Sequence, residues 1–202
     1  MTLGKHPRAV RYDEVSKSDG GQAPAVDSHG LSASHTVVAG LRWDPEDASQ
    51  TAGAHADLDL SCVLLDAHGQ VAECIHPGRT RTADGSVLHT GNSRTGAGDW
   101  DDERVFVFLN ALPETVSAVA VMVTSVTPRR LGDARNASCH LTNHTTEREL
   151  YRMHLKQSGA KTVDCVATLS RASTGWQIVS GARSELEMQT LVDCCRSHCT
   201  GG

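Results

Sequence analysis

Apolar and polar residues alternate over many short stretches of this chain, and a period of two predicts strands. The clearest stretch is DLDLSCVLLD, residues 57 to 66. It places Asp57, Asp59 and Ser61 on one face and Leu58, Leu60 and Cys62 on the other. Comparable signals run through HTVVAGLRW (35–43), VAECI (71–75), RVFVFLNAL (104–112) and SAVAVMVTSV (117–126). Four more follow: ASCHLTN (137–143), ELYRMHLK (149–156), TVDCVATLS (162–170) and GWQIVS (175–180). Turn residues separate them, DAHG at 66–69 and Pro113-Glu114 among them. Short strands at roughly 10-residue to 15-residue spacing predict a mainly all-β chain, a two-sheet antiparallel β-sandwich rather than a βαβ array.

The period changes near the C-terminus. Ser184 followed by Glu187 is a capping-box pattern, and Met188, Leu191, Val192, Cys195 and Cys199 fall on one helical stripe. A C-terminal helix laid on the sandwich is expected. Residues 1–33 carry too few apolar side chains to offset their ordering entropy, so they read as a flexible N-terminal arm. The domain itself is expected over 34–199.

Composition narrows the function. Hydrophobic residues make up 39% and aromatics only 3%, so the core must come from Val, Leu and Ala. A net charge of -5 offers nucleic acid no basic face. No apolar run is long enough to span a bilayer. The first residues lack the apolar centre of a secretory signal, and seven cysteines are an odd count for a disulfide framework, so a cytoplasmic location is expected.

The chemistry concentrates between Asp84 and Glu103, DGSVLHTGNSRTGAGDWDDE, with five acids, four glycines and Arg94 as the single cation. Strand patterns flank it, so it is a loop held at both ends. Such a loop suits a hard cation, and Ca2+ tolerates irregular oxygen cages best. The EF-hand order is absent, so a cage would be composite, joining Asp57 and Asp59 to Asp99, Asp101, Asp102 and Glu103. A divalent ion would remove the repulsion of so many carboxylates. The opposite reading, ordinary solvated loop charges, stands level with it on residues alone.

The order DLDLSCVLLD, DGSVLHTG, RTGAGDWDDE and a hydrophobic strand with a Pro-bearing turn resembles the TerD family of tellurium-resistance and stress-response proteins. Agreement runs over residues 36 to 126, with a weaker likeness to about residue 192. The resemblance implies a calcium-binding β-sandwich acting in a stress response, as a non-catalytic sensor or adaptor with protein partners of a stress-response complex. It implies a ligand set of Asp57, Asp59, Asp84, Gly91, Asn92, Asp101, Asp102 and Glu103, with His89 orienting the loop. Asn92-Ser93 stands where the family has Asp-Asn, and Ile75 to Arg79 replaces an Asn-bearing strand that could serve a second ion. Trp100 occupies a position usually held by a small residue.

Other chemistries find little support. Cys194, Cys195, His198 and Cys199 invite a zinc reading, but no second ligand pair is evident, and cysteines on a helix stripe read as small apolar residues. No nucleophile elbow, Walker loop, dinucleotide fingerprint or H-E-x-x-H occurs, so no enzyme is expected. Two alternatives accompany the sensor: a metal-independent scaffold of the same fold, and a weak metal-dependent phosphoesterase using Arg79, Arg81 or Arg94 as its phosphate clamp.

Overall fold

A computed structural model describes residues 31–32, 35–45, 55–97 and 100–199, the side chains of the last two excepted. Its strands are β1 (Thr36–Arg42), β2 (Leu58–Leu65), β3 (Val71–Ile75), β4 (Val87–Thr90) and β5 (Glu103–Phe108). Then come β6 (Ala118–Ser125), β7 (Ser138–Asn143), β8 (Glu149–His154), β9 (Val163–Ala172) and β10 (Gly175–Ser180). The helix α1 (Glu185–Cys199) closes the order. Two five-stranded antiparallel sheets result, β4-β5-β1-β7-β8 and β10-β9-β6-β2-β3. The sandwich and its terminal helix are therefore as the alternation predicts.

The inner faces interdigitate through Val37, Ala39 and Leu41 of β1 and Val105 and Val107 of β5. Against these pack Leu58, Leu60 and Cys62 of β2 and Val119, Val121 and Val123 of β6. Small aliphatics fill this layer because the chain has almost no aromatics. Its only two Phe, Phe106 and Phe108, stack on the outer face of β5.

Strand β6 is buried along its whole length, and β2 from Leu60 onward, because α1 covers their outer side. Met188, Leu191, Val192 and Cys195 of α1 settle on Val63, Leu65, Ala120 and Met122. The helix begins where the Ser184 hydroxyl accepts the Glu187 N–H at 3.1 Å, while Glu187 reaches back to the Arg183 N–H at 2.9 Å. These contacts satisfy amide groups that the first turn would otherwise leave open.

The described residues reach into the expected arm. Leu31 is buried and pairs with Trp176 of β10 through two backbone hydrogen bonds, at 2.7 and 2.8 Å. Residues 1–30 of that arm lie outside the described residues. One strand escaped the sequence reading, for β4 lies inside the stretch taken as an acidic loop. It pairs with β5 from Val87↔Val107 to Thr90↔Arg104.

Candidate metal centre

Three chain segments meet where β2 and β5 begin and β4 ends. In β5, burial alternates so that Glu103, Val105 and Val107 face inward, which puts a carboxylate at a core position. In β4 the inward pair is Val87 and His89. Strand β3 stops at Ile75, opposite Cys62, so β2 has no neighbour on that side at Leu60. Glu103 and His89 fill the gap. The Leu60 N–H donates to Glu103 Oε2 at 2.6 Å, and His89 Nε2 donates to the Leu60 carbonyl at 3.0 Å. His89 Nε2 and Glu103 Oε2 are themselves 3.4 Å apart, both side chains fully buried. His89 thus ties the end of β4 to β2 beside Glu103.

Asp102 fixes the loop from the other side. Its N–H donates to the Leu41 carbonyl at 2.8 Å, and its Oδ2 accepts the Trp43 N–H at 3.1 Å. Trp43 is 1% exposed, and its indole N–H reaches the Ala56 carbonyl at 3.1 Å. Gly96, at φ +67, lies so close to the Trp43 ring that a Cβ there would stand 2.5 Å from it. A second glycine, Gly91 at φ +90, backs onto Asp102, whose carbonyl would meet its Cβ at 2.9 Å. Trp43 therefore organises the loop, which its place at the end of an ordinary strand pattern did not reveal.

Two carboxylate oxygens at this end, Asp102 Oδ1 and Glu103 Oε1, are buried and accept no hydrogen bond. An unpartnered buried oxygen costs free energy, more so when charged. Nearby, burial pushes Asp59 up to about 6, with the Asp57 charge adding to it and His89 and Arg94 opposing. Burial likewise raises Asp57, against the pull of Arg94. Burial also raises Glu103, against its bonds from His89 and Leu60, and Asp59 adds to the rise. Asp59 thus couples to Asp57 and to Glu103, and all three carboxyls are raised chiefly by burial.

The remaining expected ligands are placed differently. Asp101 turns to the outer face of its sheet, where Arg104 Nε lies 2.9 Å and His140 Nε2 3.7 Å from its Oδ2. Asp84 closes its own turn by accepting the Ser86 N–H at 2.8 Å, and shares a surface hollow with Arg79 and Arg81. Asn92 is exposed. Gly98 and Asp99 lie outside the described residues. Among the described residues no three His, Cys, Asp or Glu side chains form a ready metal-holding group. The acidic end is a concentration of under-neutralised carboxylates, not a finished cage.

An antiparallel two-sheet sandwich with a Gly-rich acidic end and a helix over one sheet defines the class of protein. The TerD domain family model matches residues 21–193, and the chain belongs to that family. It is 36% identical over 149 residues to tellurium resistance protein TerD of an Alcaligenes species, covering 70% of this chain and 76% of that protein. It is 33% identical, with the same coverage, to general stress protein 16U of Bacillus subtilis. The crystal structure of a homologue of telluride resistance protein (TerD), SCO6318 from Streptomyces coelicolor, superposes with a TM-score of 0.64 at 22% identity. That match covers 74% of this chain and 89% of the other, a likeness of fold.

Proposed function

We propose that this protein is a calcium-responsive, non-catalytic member of its family, a sensor or adaptor that takes up Ca2+ at the acidic end and presents the ordered loops to a protein partner. The observation that carries the reading is the charge deficit at that end. Asp57, Asp59 and Glu103 are raised together, and two buried oxygens of Asp102 and Glu103 have no donor. A hard divalent cation answers both deficits, because it favours ionised carboxylates and accepts oxygen ligands in irregular number. Asp57, Asp59, Asp102 and Glu103 would hold it, with the Gly91 carbonyl as a neutral oxygen. The ion would supply positive charge and a fixed point for the loop, while His89 and Trp43 hold the strand ends in register.

The placement of the loop supports an adaptor role. The loop from Gly91 to Asp102 is anchored at Trp43 and Gly96, yet carries the half-exposed Trp100 at its outer side. Ordering such a loop by an ion would fix an aromatic docking group. Relatives named for tellurium resistance and general stress support a partner among stress-response proteins.

A metal-independent scaffold has one observation in its favour. Arg94 opposes the rise of both Asp57 and Asp59 and so supplies some positive charge itself. Calorimetric titration of the chelator-treated protein with CaCl2 separates the two readings. Saturable heat with a rise in Tm supports the sensor, and no heat supports the scaffold.

A further inference from the structure

Sulfur is concentrated between α1 and the sheet it covers. Cys74 of β3 and Cys165 of β9 rise from the sheet, and Cys195 descends from the helix, all three buried. Cys194 packs against the same layer but is only half-buried, so it opens toward solvent. Cys74 lies in this layer and Cys194 packs against it across the helix–sheet seam, near enough that the Cys194 thiol bears on the Cys74 proton. None of the six described cysteines is in a disulfide. Nothing in the acidic end uses these groups.

We propose that Cys74 and Cys194 are a reversible thiol–disulfide site, a peroxide-sensitive latch that ties α1 to the edge strand β3. The two thiols divide the chemistry by exposure. Cys194, reached from solvent, is the sulfur that meets a hydroperoxide. Its thiolate displaces hydroxide from the O–O bond, becoming a sulfenic acid while the peroxide is reduced. The Cys74 sulfur then attacks the sulfenic sulfur and its proton leaves with the departing hydroxyl as water. The net change is two thiols and one hydrogen peroxide to one disulfide and two waters. The Cys194 thiol and burial together hold Cys74 protonated, so Cys74 is not the first of the two to react.

The latch has a mechanical consequence. Without it, α1 is held by Leu191, Cys195 and the partly buried Met188, Val192 and Cys194. The cross-link encloses residues 74 to 194, with strands β4 to β10 inside the loop, and so restricts the unfolded chain strongly. The same step fixes the helix on β3, an edge strand of its sheet.

The test treats the full chain with one equivalent of hydrogen peroxide, alkylates the remaining thiols and maps the peptides before and after reduction. The expected result is loss of two of the seven thiols, a linked peptide pair carrying Cys74 and Cys194, and a Tm higher by about 5–10 °C that dithiothreitol reverses. Cys74→Ser leaves a Cys194 sulfenic acid that dimedone traps, with no rise in Tm. All thiols surviving, a cross-link mapped to another pair, or a stable Cys194 sulfenic acid in the unaltered chain would each overturn the proposal. Mapping the unaltered chain needs no variant to fold.

Discussion

The backbone N–H of Leu60 in β2 donates to the carboxylate of Glu103 in β5 at 2.6 Å, a bond from one sheet of the sandwich to the other. It stands where a ladder bond to β3 would stand had that strand run further. Because Glu103 is fully buried, the N–H has no water to turn to.

Truncation of this side chain is therefore expected to be expensive. Glu103→Ala leaves the Leu60 N–H without an acceptor and opens a void, for a loss of about 2–4 kcal/mol. Glu103→Gln keeps an acceptor of the same shape and is expected to cost about 1 kcal/mol. Urea unfolding in chelator measures both.

The raised carboxylates set the sign of the pH dependence. Asp59 titrates near 6 in the folded chain against an ordinary 3.8. Between those values the native state holds a proton the unfolded chain has lost, so stability falls as pH rises. The metal-free protein is expected to show a higher Tm at pH 5 than at pH 7, and Asp59→Asn to flatten that slope. Calcium must displace the same protons, so the Tm increment it confers is expected to grow from pH 5 to pH 7. Scanning calorimetry in chelator and in calcium checks both slopes.

Two glycines make a graded pair. Gly96 and Gly85 both hold positive φ, +67 and +75, but only Gly96 faces a wall, the Trp43 ring, whereas nothing lies within 4 Å of a Cβ at Gly85. Gly85→Ala is expected to cost about 1 kcal/mol from backbone conformation alone. Gly96→Ala adds overpacking against a buried indole and is expected to cost about 2–4 kcal/mol. Tryptophan fluorescence together with urea unfolding reads both.

Much of this was legible because the strands obey their period. From Leu58 onward β2 places Leu58, Leu60 and Cys62 in the core, and Ser184 with Glu187 starts the helix. Strand β4 was hidden because its inward residues are one valine and one histidine, and a polar group at a core position erases the alternation that marks a strand. In sequence the acids form a single cluster, because sequence gives order and not direction. Asp101 and Glu103, two residues apart, go to opposite neighbours, one to Arg104 on the outer face and one to Leu60 within. Nor could spacing show that Trp43, far from the loop in sequence, is the surface on which Gly96 and Asp102 are set. The meeting of Cys74 and Cys194 in one layer depends on where α1 lands, which no local pattern records.

Calcium titration of the chelator-treated full chain by calorimetry, beside Asp59→Asn and Glu103→Gln, tests the acidic end most directly. The expected result is a saturable heat for the unaltered chain and, at about 100 times Kd, a stabilisation of about 2.7 kcal/mol, or roughly 5–10 °C in Tm. Each variant is expected to weaken binding by about tenfold or more, since ligand charge tunes calcium affinity. Equal heats in all three proteins, or none in any, would contradict it.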